Sequence, residues 1–164
     1  MWHGSRWICA LVLGLAAASA TAASVTPELT VRTADGRIFS LVAERGHWVV
    51  VNYWATWCEA CREEMPRLSA FAATHPSVRI IGLTYEDITP ASLEKFVAEH
   101  PPGYAVARVG DKALSSALKP TFFGIHALPL TYVLAPDGTV AKKWVGELDT
   151  TKLETLAGML SKQH

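Results

Sequence analysis

The stretch Val49-Val50-Val51-Asn52-Tyr53-Trp54-Ala55-Thr56-Trp57-Cys58-Glu59-Ala60-Cys61 decides the reading of this chain. From Trp48 to Trp54 the residues are nearly all apolar, the pattern of a strand buried on both faces. From Cys58 to about Ala73 the period becomes helical, with Met65, Leu68, Phe71 and Ala72 on one face. The two cysteines therefore stand at a strand-to-helix junction. Exposed backbone N–H groups and the helix dipole favour a thiolate there. On the same helix Glu63 and Arg67 make an i,i+4 pair of favourable polarity, and Pro66 is expected to kink it.

Working outward, Leu29–Arg32 and Arg37–Leu41 flank Ala34-Asp35-Gly36 and read as a β-hairpin. Val78–Thr84 is a second buried strand. A helix follows to His100, with Pro90 in its first turn and Leu93, Phe96 and Val97 on its apolar face. Tyr104–Val109 is a short strand and Asp111–Leu118 a short helix stopped before Pro120. Leu130–Ala135 and Thr139–Val145 form a closing hairpin around Pro136-Asp137-Gly138, and Asp149 caps a final helix. Strands alternating with helices, then a hairpin, imply an α/β sandwich with a mixed sheet.

The chain has 164 residues, half of them apolar, and a formal net charge of zero. That suits one domain with a real core. Lys and Arg do not cluster, which argues against a nucleic-acid surface. At the N-terminus Arg6 precedes the apolar run Trp7–Ala18, and Ala18-Ser19-Ala20 and Ala20-Thr21-Ala22 fit small-residue cleavage sites. Residues 1–23 are expected to be a signal peptide, cut after Ala20, Ala22 or Ala23, leaving residues 24–164 as the domain. An uncleaved anchor is the alternative, but the run reaches the roughly 17 residues of a bilayer span only by including Ser19 and Thr21. Cleavage removes Cys9 and leaves Cys58 and Cys61 as the only cysteine pair. Structural bridges usually close longer loops, so this pair is expected to be redox-active. Zinc would need about four ligands, and no second Cys pair or nearby His pair is present.

The order of elements, with Trp54-Ala55-Thr56-Trp57-Cys58-Glu59-Ala60-Cys61 opening the first long helix, resembles the thioredoxin superfamily. It is most similar to the TlpA/ResA-like branch of exported thiol–disulfide oxidoreductases, which includes the CcmG type. Three stretches carry the resemblance over roughly residues 27–162: the strand leading into Cys58, the continuation Arg62-Glu63-Glu64-Met65-Pro66, and Ala127-Leu128-Pro129-Leu130-Thr131-Tyr132-Val133-Leu134 followed by Asp137-Gly138.

The resemblance implies a three-layer α/β/α sandwich with a mixed sheet and an N-terminal hairpin. It implies that Cys58 attacks and Cys61 resolves. Pro129 would be a cis-proline facing the cysteines, with the backbone of Leu128 offered to the substrate chain. Asn52 stands where cytoplasmic thioredoxins carry a buried Asp and cannot move protons for Cys61. Glu86, at the end of the second core strand, is the candidate replacement; the alternative is a solvated loop carboxylate. Trp57 is expected at the rim of the site and Trp54 in the core. Glu59 should partly oppose thiolate formation, and Ala60 replaces a proline common in the branch. No cofactor or resident metal is implied. The expected activity is reduction of protein disulfides in the periplasm by a monomer, with cytochrome c maturation or copper-site assembly proteins as clients and a membrane electron donor. A copper or thiol-metal carrier on the same fold, with His126 near Pro129, is the alternative. A peroxidase of the peroxiredoxin type would place its Cys after Pro and Thr at another spacing, which this chain does not do.

Overall fold

The computed structural model describes residues 27–109 and 128–161, together with Met1. Their elements run β1 (Thr30–Arg32), β2 (Ile38–Ser40), β3 (Val49–Trp54), α1 (Glu59–Thr74), β4 (Arg79–Thr84), α2 (Pro90–Glu99), β5 (Ala105–Arg108), β6 (Leu130–Leu134), β7 (Val140–Val145) and α3 (Thr150–Ser161). The expected signal segment, the short helix over Asp111–Leu118 and His126 lie outside the described residues.

Five strands form one mixed sheet in the order β5-β4-β3-β6-β7. β3 pairs parallel with β4 and antiparallel with β6, and β4 pairs parallel with β5. All six residues of β3 are buried, as its unbroken apolar run predicts for a central strand. Alternation along the strands sends two sets of side chains to opposite faces. Val49, Val51 and Tyr53 join Ile81, Leu83 and Tyr132 beneath the β1–β2 hairpin, which contributes Leu29, Val31, Phe39 and Leu41. Val50 and Val133 meet Leu68 and Phe71 of α1 and Leu156 of α3, while Trp54 meets Met65 of α1 and Leu93 of α2. The three described helices thus share one face, and the hairpin covers part of the other. The hairpin is held at the sheet edge, where Ala34 N–H donates to the Val106 carbonyl at 2.7 Å.

Local chemistry sets the helix ends. Thr89 Oγ1 accepts from Ser92 N–H at 3.2 Å with Pro90 at the first helical position of α2, and Asp149 Oδ1 accepts from Lys152 N–H at 2.9 Å before α3. Gly36 and Gly138, after Asp35 and Asp137, take positive φ of 84° and 80° in the two hairpin turns. The α1 helix runs as one element through Pro66, so the expected kink does not break it. The expected Glu63–Arg67 pair is absent among the described residues. Arg67 instead reaches Glu147 in the β7–α3 loop at 2.7 Å, which ties that loop to α1.

Candidate active site

The parallel β3 ends at Trp54, and the antiparallel β6 begins opposite it, with Tyr53 aligned to Leu130. The loop entering α1 and the residues before Leu130 are therefore brought to the same end of the sheet. At that end Cys58 is the N-cap of α1 and is joined to Cys61 by a disulfide, with Cα atoms 5.3 Å apart. Cys61 N–H donates to Cys58 Sγ at 3.2 Å, so a backbone donor of the helix start already points at the first sulfur. Cys58 is 7% exposed and Cys61 is fully buried. The difference follows from position: the N-cap lies at the helix mouth, whereas Cys61 turns toward Met65 and Trp54.

The Leu128–Pro129 bond is cis. Leu128 packs against the cluster that contains both cysteines and also against the hairpin-side core. Pro129 carbonyl accepts from Gly146 N–H at 2.8 Å, which fastens the start of β6 to the end of β7. Trp57 is 56% exposed at the rim, and Trp54 is wholly buried, its ring 5.2 Å from Phe96 of α2.

Glu86 accepts from Thr56 N–H at 2.7 Å and from Thr56 Oγ1–H at 2.9 Å. Its carboxylate thus braces the loop two residues before Cys58. Arg62 braces the same loop from the other side, donating to the Thr56 carbonyl at 3.0 Å.

A second carboxylate lies deeper and was not singled out from the sequence. Glu64, one turn after Cys61 on α1, has no exposed surface. Its Oε1 accepts from Asn52 Nδ2 at 2.7 Å and its Oε2 from Leu148 N–H at 2.7 Å. Asn52 also donates to Thr131 Oγ1 at 3.1 Å, so β3, α1, β6 and the β7–α3 loop meet at one buried polar cluster. Burial raises the Glu64 pKa. The bonds from Leu148 and Asn52 oppose that rise, and Glu147 and Arg67 act more weakly in opposite directions. Asn52 therefore does not replace the missing acid; it holds one. The sequence did contain a signal: Cys61, Glu64, Met65, Leu68 and Phe71 share one buried face of α1, and a carboxylate on such a stripe needs a partner.

Among the described residues, no group of three or more His, Cys, Asp or Glu could hold a metal ion, and no helix is long and apolar enough to cross a membrane. The arrangement offers a cysteine pair that can cycle between dithiol and disulfide, an exposed aromatic rim, a strand end beside it and a buried carboxyl group.

Comparison with known proteins places this arrangement. The model of the AhpC/TSA family matches residues 22–143. The thiol-disulfide oxidoreductase ResA of Bacillus anthracis is 28% identical over 131 residues, spanning 78% of this chain and 72% of that protein. The thiol:disulfide interchange protein DsbE of Pseudomonas fluorescens biotype C is 34% identical over 105 residues, spanning 64% of this chain and 55% of that protein. Among solved structures, a thioredoxin-family thiol:disulfide interchange protein from Chlorobium tepidum TLS superposes with a TM-score of 0.71 at 22% identity, over 82% of this chain and 94% of its own. That likeness shows the fold: thioredoxin-like, of the α/β class, as the resemblance implied.

Proposed function

The chain belongs to the AhpC/TSA family, and from that premise we propose that it is an exported enzyme that reduces disulfides of client proteins through Cys58 and Cys61. At the coarser level the chain is a thiol–disulfide oxidoreductase of the ResA and DsbE type. The observation that carries the reading is the Cys58–Cys61 disulfide at the start of α1, with Cys58, the less deeply buried of the two, facing a backbone donor and Cys61 fully buried behind it.

In the reduced enzyme the Cys58 thiolate attacks one sulfur of the client disulfide, and the other client sulfur leaves as a thiolate. Cys61 then gives up its proton and attacks Cys58 Sγ. The bond between Cys58 and the client breaks, the client departs with two reduced sulfurs, and the enzyme keeps the disulfide. Two electrons pass from enzyme to client, and a membrane dithiol donor restores the enzyme.

Each residue has a part in this sequence. The helix start favours the Cys58 thiolate. Glu64, buried one turn along α1 from Cys61 with its pKa raised, accepts the Cys61 proton. Glu86 holds the Thr56 loop so that Cys58 keeps its place at the helix mouth. Trp57 and the Leu128 backbone beside Pro129 receive the client chain. Export rests on the Arg6 and Trp7–Ala18 pattern, which also puts the pair in an oxidising compartment.

The test is a titration of Cys58/Cys61 in dithiothreitol buffers combined with insulin reduction. A reversible two-electron couple and turnover that disappears in Cys58→Ser are expected. No such couple, together with stoichiometric Cu(I) binding, refutes the reading in favour of a carrier. Cys61→Ala should accumulate mixed disulfides with clients in the periplasmic fraction, and their absence from that fraction overturns the export.

A further inference from the structure

We propose that the groove between α1 and α2 is a docking site for a segment of the client polypeptide that carries apolar side chains next to a carboxylate. The proposal rests on the thiol-exchange reading and extends it to client choice.

The two helices lie side by side on one face of the sheet, and both start at the end that holds the cysteines. Their inner sides are packed: Met65 and Phe96 close on the cluster containing Cys58 and Cys61. Their outer sides leave a groove of about 490 Å³ between Arg62, Met65 and Ala70 of α1 and Phe96, His100 and Pro102. From Arg62 to Ala73 the groove follows α1 over eleven helical steps, about 16 Å at 1.5 Å per step. That is the length of about five residues of extended chain. An apolar cleft with a few convergent polar groups is the usual form of a binding site.

Two features say what fits. The groove begins at the reacting end: Arg62 directly follows Cys61, and its guanidinium is held beside the cysteine loop by the Thr56 carbonyl. A client sulfur at Cys58 thus places the neighbouring client residues at the groove mouth. The charge of the lining is also one-sided. Its ionisable side chains are Arg62 at the mouth and His100 at the far end, and no carboxylate lines it. A client segment with acidic residues among apolar ones matches both, because a guanidinium binds a carboxylate with paired N–H donors.

The test uses two synthetic disulfide-linked peptides, identical except that Leu-Asp-Phe-Asp follows the cysteine in one and Leu-Lys-Phe-Lys in the other. Their reduction is compared with that of 2-hydroxyethyl disulfide, which is too small to reach along the groove. For the wild type the acidic peptide should show a KM lower by about threefold or more, the size of a few weak surface charge contacts. Arg62→Ala should remove that preference. Ala70→Glu, at an exposed position, should raise the KM of the acidic peptide by about tenfold when normalised to each variant's own rate with the small disulfide. Equal KM values for the two peptides, or an unchanged normalised KM in Ala70→Glu, overturn the docking while thiol exchange stands. Failure of the wild type to reduce 2-hydroxyethyl disulfide overturns the thiol-exchange reading and the docking with it.

Discussion

Glu64→Gln tests the buried acid directly, through the pH dependence of stability. In the native protein the carboxyl has no exposed surface and its pKa is raised. In the unfolded chain it titrates near the ordinary Glu value of about 4.3. Between these two values the native state keeps a proton that the unfolded state has released. Stability contributed by the protonated group is therefore complete below the unfolded value and is lost as pH rises through the folded one, by at most about 1.4 kcal/mol per pH step. Glutamine cannot titrate. It also brings an amide NH₂ into a site where Asn52 Nδ2 and Leu148 N–H both donate, so one donor faces another, at a cost of about 1–3 kcal/mol. Relative to the variant, the wild type should be more stable at pH 4 than at neutrality, so the gap between them should shift steadily against it as pH rises. Urea unfolding of the oxidised proteins, followed by tryptophan emission at several pH values, measures the gap. A gap that stays constant or widens with pH would refute the claim that burial raises the proton affinity of this carboxyl.

Three other positions test separate contacts. Glu86→Gln replaces a carboxylate that accepts from both Thr56 N–H and Thr56 Oγ1–H, so alkylation of reduced Cys58 should slow or its pH midpoint move; an unchanged profile removes Glu86 from the site. Gly82→Ala puts a methyl 3.0 Å from Trp54 Nε1 and 3.1 Å from Tyr104 Cε2, and should cost about 1–3 kcal/mol and shift the Trp54 emission; a neutral variant contradicts the tight packing. Asp35 is held at about 2 by its bond to Arg37 and then by Thr33, so its contribution to stability is present above the unfolded value and lost as pH falls toward 2. Asp35→Asn should erase that acid-side dependence, and an NMR titration of Asp35 with an ordinary carboxylate midpoint speaks against it.

The parts of the fold that were legible in the sequence are those set by local rules. The β3 run was readable because a strand buried on both faces is apolar at every position but Asn52. The start of α2 was readable from Pro90, that of α3 from Asp149, and the hairpin turns from Asp-Gly. Arg67 was misassigned because an i,i+4 rule sees only its own helix, while Glu147 arrives from 80 residues away. The partner of Glu86, Thr56, is 30 residues away in the chain and meets it only once β3 and β4 lie side by side.

By itself, the sequence determined the chemistry: two cysteines three apart at a strand-to-helix junction, because chain spacing alone puts both sulfurs at one helix end. Only the tertiary structure decided what surrounds the buried acid on the same helix. Asn52, Glu64, Thr131 and Leu148 come from four separate elements. A buried carboxylate takes its proton affinity from the desolvation and donors that those elements bring around it, none of which is encoded next to it in the chain.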